Sequence, residues 1–184
     1  MNCTGGNCDR RSSYLKAATA LLVSDLEWIV AQWAKDGDAR VAVMADADAG
    51  LAAILTGMGS LSYGETAGER MRLGVMLNDP EEEHSCFADN THNDHFYNGV
   101  GIQSVYCGRY TRIDGSVVAG PSLSDLVAAT DASLDIEMRA KLAAAVLALG
   151  RIKTAAEAGF HYDMMLERGN AAGEALIMGG VNGL

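Results

Sequence analysis

Side chains that can bind a metal ion are concentrated in one polar segment of the chain, residues 81–95. Three of the four histidines lie there, together with five carboxylates. Carboxylate oxygen and imidazole nitrogen are ligands that suit zinc, iron or manganese. The segment therefore predicts a site for a divalent metal or an iron ion, with four candidate ligands: Glu82, His84, Asp89 and His92.

The position of this segment before a predicted helix supports two interpretations. Asp89 and His92 are three residues apart, so at a helix start they would share one face and could bind one ion. The helix dipole alone also favours an acidic run at this position, and histidines there can simply be hydrogen-bonded or exposed. The zinc-protease pattern H-E-x-x-H is absent, as are the G-x-S-x-G motif and glycine-rich phosphate loops.

The spacing of apolar residues predicts that the elements around this segment are helices. Apolar residues recur at spacings of three and four. They predict helices over roughly 9–35, 41–56, 61–77, 90–109, 131–168 and 171–181, with a break at the glycines of residues 57–60. Asp131 caps the longest helix, and Ser122 with Asp125 has the spacing of a capping box. Asp114-Gly115, between apolar neighbours, indicates a short β-hairpin.

Together these elements predict an all-α fold, an antiparallel helical bundle of four-helix-like type with a loop and a short β-hairpin excursion in the middle. Aromatic residues make up only 6% of the chain, and alanine, leucine and methionine are plentiful, which favours helices over sheets. The 184 residues contain no repeat, low-complexity tract or linker. Residues 1–184 are therefore predicted to form a single domain.

Charge and hydropathy narrow the possible function classes. The net charge is -10 and no basic patch is visible, which argues against nucleic-acid binding and suits a solvated surface, a cationic partner or a metal ion. No run of about 18 apolar residues occurs, so no membrane span is predicted. The segment from Met1 to Arg11 lacks the apolar core of a signal peptide, so an export signal would lie outside this chain.

The four cysteines fall into two groups. Cys3 and Cys8 flank a short glycine-containing segment that lets the chain fold back, which predicts a small-loop disulfide in an oxidising compartment. A metal-binding pair is the alternative, but no second pair follows at zinc-site spacing. Cys86 and Cys107 lie far apart in sequence and are predicted to be buried thiols.

The central region resembles the imelysin family. The resemblance rests on the block Glu-Glu-Glu-His-Ser-Cys-Phe-Ala-Asp-Asn-Thr-His of residues 81–92, followed by Gly-Ile-Gln-Ser-Val-Tyr at 101–106 and Gly-Arg-Tyr at 108–110. Segments 3–11, 59–70 and 120–123 are also similar to that family. The likeness therefore covers nearly the whole chain, and its central block is long and unusual in composition.

The resemblance implies a protein of two related helical-bundle halves with a site in the cleft between them. The family's G-x-H-x-x-E motif belongs to the amino-terminal half and is absent here, so this chain resembles the carboxy-terminal half and its implied partner is the missing amino-terminal half. The resemblance further implies export to the periplasm or the outer-membrane surface and a link to iron acquisition. It implies that the cleft wall includes Glu82, Glu83, His84, Asp89, Asn90 and His92. The candidate binding residues are Asn90, His95, Ser62, Tyr63, Glu65 and Arg109.

Three hypotheses of function follow. The first is a metal-binding, iron-linked protein of the cell envelope that takes part in iron acquisition. The second is a metallopeptidase, the label that the resembled family also carries, in which Glu83 or Glu82 acts as general base towards a metal-bound water. The third is a non-catalytic module that binds a partner through the cleft face, favoured by small residues such as Gly64 and Gly68.

Overall fold

A computed structural model describes residues 5–184, and the chain divides into two compact units, the second of which begins at Thr56. The first unit contains helices α1 (Cys8–Gln32) and α2 (Asp38–Met44) and most of α3 (Ala47–Gly59). Within this unit α1 forms where the periodicity predicts it, but none of its residues is buried. Cys3 lies outside the described residues, so its pairing with Cys8 stays a prediction.

The second unit holds the remaining elements, most of them helical. A π-helix, Ser60–Arg72, follows α3 without a break. The helices after it are α4 (Leu73–Leu77), a 3-10 turn (Cys86–Ala88), α5 (Thr91–Cys107), α6 (Leu123–Thr130), α7 (Ala132–Glu157), α8 (Tyr162–Leu166) and α9 (Ala171–Gly183). Strands β1 (Arg109–Thr111) and β2 (Val117–Ala119) form an antiparallel hairpin between α5 and α6. The all-α prediction with a short hairpin is confirmed.

The core of the second unit lies between the π-helix, α7, α8 and α9. Helix α7 presents Leu149, Ile152 and Ala156 to this core, and Ala145 of the same helix is also buried, which confirms the middle of the predicted apolar face. The other elements contribute the largest buried side chains: Met71, Tyr162, Met165 and Ile177. Because α5 packs against α7, this core also fixes the helix that carries His92 and His95 and that follows the polar segment.

The helix caps and the hairpin turn that the sequence predicts are present in the structure. Ser122 and Asp125 form a complete capping box, and the Asp131 carboxylate accepts hydrogen bonds from two backbone N–H groups at the start of α7. In the hairpin, Tyr110 pairs with Val118, and Gly115 takes a φ of +81° in the turn. A side chain would be strained at that φ, so the Asp-Gly sequence suits this turn.

Three predictions of helix bounds are wrong. The single helix predicted over 41–56 is two helices, α2 and α3, with a break after Met44. The glycines of residues 57–60 do not stop α3, because the helical backbone continues directly into the π-helix, whose Thr66, Ala67 and Met71 are buried. The longest helix does not reach residue 168. It ends at Glu157, and Gly159 takes a φ of +98° before α8 begins at Tyr162. A glycine in this left-handed region ends a helix at little steric cost.

Two further sequence predictions concern exposure. In the part of the chain that the structure describes, no single helix is both long and apolar enough to cross a membrane. The consecutive segments Asp38–Met44 and Ala47–Leu77 meet the length and composition of a span only as a pair, and they are bent by 112° at their break. The prediction of buried thiols is wrong for Cys86, which is exposed in the 3-10 turn, while Cys107 is partly buried at the end of α5.

The prediction of a single domain that forms the carboxy-terminal half of a longer protein stays a prediction.

Candidate functional site

The polar segment folds as a loop that leads into α5. Asp89 takes a left-handed backbone conformation with a φ of 48°, and α5 starts only at Thr91. Because Asp89 lies outside the helix, it does not share a helix face with His92, and that prediction is wrong. The candidate residues instead form two groups, one around Asp94 and one around Asp89. Thr91 is fully buried, and its hydroxyl accepts a hydrogen bond from the backbone N–H of Ser85.

The first group is centred on Asp94 in the first turn of α5. Its Oδ2 lies 3.2 Å from Nδ1 of His84 and also accepts a short hydrogen bond from the hydroxyl of Ser85. The ring of His84 stacks on that of His95, with 6.5 Å between ring centroids and 19° between planes. A carboxylate next to Nδ1 makes that nitrogen the donor, so the Nε2 lone pair of His84 is left available for another atom.

A polar cavity adjoins this group, and we call it the His84 cavity. It has a volume of about 580 Å3 and is lined by one imidazole, three side-chain amides, a phenol, two carboxylates and an ammonium group. These belong to His84, Asn90, Asn93, Asp94, Tyr97, Asn98, Lys153 and Glu157. A cavity with this lining suits a polar ligand, because nearly every wall offers a hydrogen-bond donor or acceptor.

The second group pairs Asp89 with a histidine that the sequence analysis did not assign to the site. Oδ2 of Asp89 lies 2.8 Å from Nδ1 of His161, which precedes α8. Glu83 lies in the same electrostatic environment. Burial raises the pKa of the Glu83 carboxyl, a hydrogen bond with Thr91 acts in the opposite direction, and the nearby charges of Asp163 and Asp89 raise the pKa further.

Two histidines of α5 point inward instead of towards a ligand-accessible surface. His92 and His95 are both buried, and neither ring nitrogen of His95 has a hydrogen-bond partner among residues 5–184. The His95 ring packs edge-on against Tyr162, with centroids 5.2 Å apart. Burial, helped by the neighbouring His84, lowers the pKa of His95 from 6.5 to about 4. His95 is therefore neutral at neutral pH, and its buried ring packs against the ring of His84.

The candidate binding residues of the first half of the second unit lie on the π-helix. The Ser62 hydroxyl donates to the carbonyl of Leu184 at 2.9 Å, and Glu65 forms an ion pair of 2.9 Å with Arg70. Tyr63 lines a separate cavity of about 410 Å3 together with Arg72 and Asn182. π-helical turns occur often at functional sites, and this one carries the candidate residues Ser62, Tyr63 and Glu65.

The structure does not bring the four predicted metal ligands together. Glu82 is exposed and belongs to neither group, His92 is buried, and His84 and Asp89 each pair with a different residue. Within residues 5–184, no group of three or more His, Cys, Asp or Glu side chains is positioned to hold a metal ion. These residues therefore supply single imidazole donors oriented by carboxylates, and they do not form a complete coordination sphere by themselves.

The sequence analysis did not identify His161 and Asp163 as site residues. Gly159 could have indicated them, because a glycine near the end of a helical pattern can mark the end of the helix and place the following polar residues in a loop. The predicted site residue Arg109 lies away from both groups, in β1, and lines a different cavity beside the hairpin. The roles of the predicted site residues stay predictions.

The fold and the two His–Asp pairs define an all-α protein with a polar histidine–carboxylate region at the start of one core helix. The family model described as Imelysin matches residues 6–184, so the chain belongs to the imelysin family. This match confirms the resemblance, and the family is broadly one of iron-regulated envelope proteins located outside the cytoplasm. No curated protein matches the chain.

Proposed function

We propose that this chain is an iron-linked binding protein of the cell envelope, and that His84 donates its Nε2 to the metal of a ligand held in the His84 cavity. The observation that carries the proposal is the contact of 3.2 Å between His84 Nδ1 and Asp94 Oδ2 at the wall of that cavity. We further propose that the protein acts in iron acquisition, in the periplasm or at the outer-membrane surface.

The His84–Asp94 pair supports this proposal because of how proteins orient metal-binding imidazoles. A histidine that binds a metal usually donates its other N–H to a carboxylate or carbonyl, which fixes the ring and raises its basicity. Asp94 is held in turn by the hydroxyl of Ser85, so the orienting carboxylate is itself positioned. In this arrangement Asp94 orients the donor and is not itself the ligand.

One imidazole does not satisfy an iron or zinc ion, and the remaining positions need other donors. We propose that they come from a metal chelate that enters the cavity and from the amino-terminal half implied by the family. The amides of Asn90, Asn93 and Asn98 and the ammonium of Lys153 are suited to hydrogen-bond the chelating groups. Binding of a chelate therefore fits these residues better than binding of a bare ion.

Titration with iron(III) nitrilotriacetate, which leaves coordination positions open, tests the assignment, and zinc ions provide the comparison with a bare ion, which should bind more weakly. Calorimetry should show binding by the wild-type chain, loss of binding in His84→Ala, and an affinity about 10–100-fold lower in Asp94→Asn. His161→Ala is the matched control, because it removes the imidazole of the other His–Asp pair and should leave the affinity unchanged. Equal binding by wild type and His84→Ala would rule out the site.

Glu83 gives a specific reason to keep metallopeptidase activity as a second candidate function. A general base works best when its pKa lies near the working pH, and burial raises the pKa of Glu83. The carboxylates of Asp89 and Asp163 act in the same direction. We therefore propose Glu83 as the residue that would accept a proton from an attacking water.

Cleavage of an unfolded protein by the purified chain, with and without a chelator, tests this second candidate. Activity that depends on metal and falls at least about 100-fold in Glu83→Gln would support it, since proton transfer by a positioned base contributes about 10²–10⁴-fold. Glu82→Gln serves as the control, because Glu82 is exposed and adjacent. No cleavage by the wild-type chain, or equal losses in the two variants, would contradict the role of Glu83.

A further inference from the structure

The cavity beside the hairpin has no part in the proposed function. It has a volume of about 700 Å3 and lies between the carboxy-terminal half of α5 and the β1 side of the hairpin. Small-molecule sites commonly occupy about 300–1,000 Å3. Tyr97 borders both this cavity and the His84 cavity, and all other lining residues differ. We call it the hairpin cavity.

The charge of the hairpin cavity is opposite to that of the whole chain. Arg109 and Arg112 line it, and no Asp, Glu or His does. Across the described residues, no ion pair involves either arginine. The chain carries a net charge of -10, so its overall field repels anions. Two guanidinium groups without carboxylate partners therefore create a local anion site, and their planar fork suits a carboxylate.

Aromatic and aliphatic side chains form the rest of the pocket. Tyr97 from α5 and Tyr110 from β1 line it, and their side chains remain 60% and 56% exposed. The ring of Tyr97 packs edge-to-face with that of Phe96, with centroids 5.1 Å apart, and the exposed surface of both tyrosine rings is available to stack on a planar group. Val100 and Ile113 add aliphatic surface, and Ile113 is fully exposed at the turn of the hairpin. The cavity thus combines an anion site with a flat apolar site.

We propose that the hairpin cavity binds a small aromatic carboxylate, whose carboxylate group contacts Arg109 and Arg112 and whose ring packs against Tyr97 and Tyr110. The side chain of Gln103, which also lines the cavity, supplies a hydrogen bond to a polar ring substituent. An inorganic anion would use only the arginines, and a neutral aromatic molecule would use only the tyrosines. The joint requirement for ring and charge is what distinguishes the proposed ligand class.

Cys107 provides a reporter inside the cavity. Its thiol lines the pocket and is partly exposed. Cys86 is the other free cysteine among the described residues, is exposed, and does not line the pocket. Alkylation of both thiols by neutral iodoacetamide can be followed in the same sample by peptide mass spectrometry. Cys86 then serves as the internal reference for the rate at Cys107.

The probe is 4-hydroxybenzoate, compared with 4-hydroxybenzyl alcohol, which lacks the charge, and acetate, which lacks the ring. A fragment with a Kd of about 1 mM occupies roughly nine tenths of the sites at ~10 mM, so alkylation of Cys107 should slow up to about tenfold. Cys86 should react at its usual rate, and the two control compounds should have little effect. No protection by 4-hydroxybenzoate, or equal protection by the alcohol, would overturn the proposal.

Arg112→Gln and the double variant with Arg109→Gln test the source of the protection. Both arginines are exposed and outside the core, so the fold should be retained, which circular dichroism checks. Arg168→Gln removes the same charge at an exposed position outside the cavity and is the matched control. Protection should weaken in the single variant, disappear in the double variant and persist in Arg168→Gln. Unchanged protection in the double variant would overturn the arginine assignment.

Discussion

Acidification from pH 7 to pH 4 is expected to lower the free energy of unfolding by about 3 kcal/mol through His95 alone. Burial lowers the pKa of this histidine from 6.5 to about 4 in the folded protein. Each pKa unit corresponds to about 1.4 kcal/mol of differential interaction. Urea denaturation at a series of pH values, followed by far-ultraviolet circular dichroism, measures the effect.

The direction follows from which state binds the proton. In the unfolded chain His95 has its ordinary pKa of 6.5, so it is protonated as the pH falls below that value, whereas the folded protein resists protonation until about pH 4. Proton binding therefore favours the unfolded state between these two values. The contribution of His95 to stability is complete above pH 6.5 and is lost as the pH falls towards 4.

A substitution distinguishes the contribution of His95 to the pH dependence of stability from that of the carboxylates, which also titrate at low pH. In His95→Gln the part of the pH dependence between 6.5 and about 5 should disappear, because the amide does not titrate. His161→Asn is the control, since His161 is half-exposed beside Asp89 and its removal should leave that part of the curve in place. A wild-type curve that is flat over this interval would show that His95 is accessible to protons in the folded state.

The burial of His95 also shows where sequence reasoning succeeds and where it ends. The polar segment was chosen for its metal-binding side chains, and three of its residues, His84, Asp94 and His95, do lie close together in the structure. The pairing was not predictable from spacing. The left-handed turn at Asp89 separates that carboxylate from His92 and directs it to His161, which is distant in sequence.

The fold shows the same division between local and long-range effects. The capping box at Ser122 and the turn at Gly115 depend on a few neighbouring residues, and both were predicted correctly. The continuation of α3 into the π-helix depends on packing. A glycine costs about 1 kcal/mol in a helix, and burial of Thr66, Ala67 and Met71 offsets that cost. The spacing of residues in the sequence does not show whether burial outweighs the cost of the glycines.

Leu149→Ala is expected to lower the free energy of unfolding by about 2–5 kcal/mol, the range for removing a buried leucine from a core. Leu149 is fully buried on α7. Leu147→Ala on the same helix is the matched control, because the Leu147 side chain is 60% exposed, and it should change stability by no more than about 0.5 kcal/mol. Urea denaturation of the three proteins measures both differences.

The reason that Leu149 matters lies in two glycines that face it. A Cβ placed on Gly99 of α5 would lie 2.5 Å from Leu149 Cδ1, and one placed on Gly180 of α9 would lie 3.1 Å from Leu149 Cδ2. The leucine therefore fills the space that both glycines leave, and no neighbouring side chain at these positions can close the cavity after truncation. Gly99→Ala alone should cost up to about 2 kcal/mol, because overpacking of the core costs about 1–3 kcal/mol and the higher helix propensity of alanine offsets about 1 kcal/mol of it.

The double variant Gly99→Ala with Leu149→Ala should then cost less than the two single variants together, by about 0.5–3 kcal/mol, because the shorter side chain makes room for the new methyl group. Costs that add without coupling would show that the two residues are not in contact. Gly99 lies on the helix that carries Asp94 and His95, so this contact helps set the distance between α5 and α7. Since Lys153 and Glu157 of α7 line the His84 cavity opposite Asp94, Gly99→Ala should weaken binding at that cavity, and the second substitution should restore it.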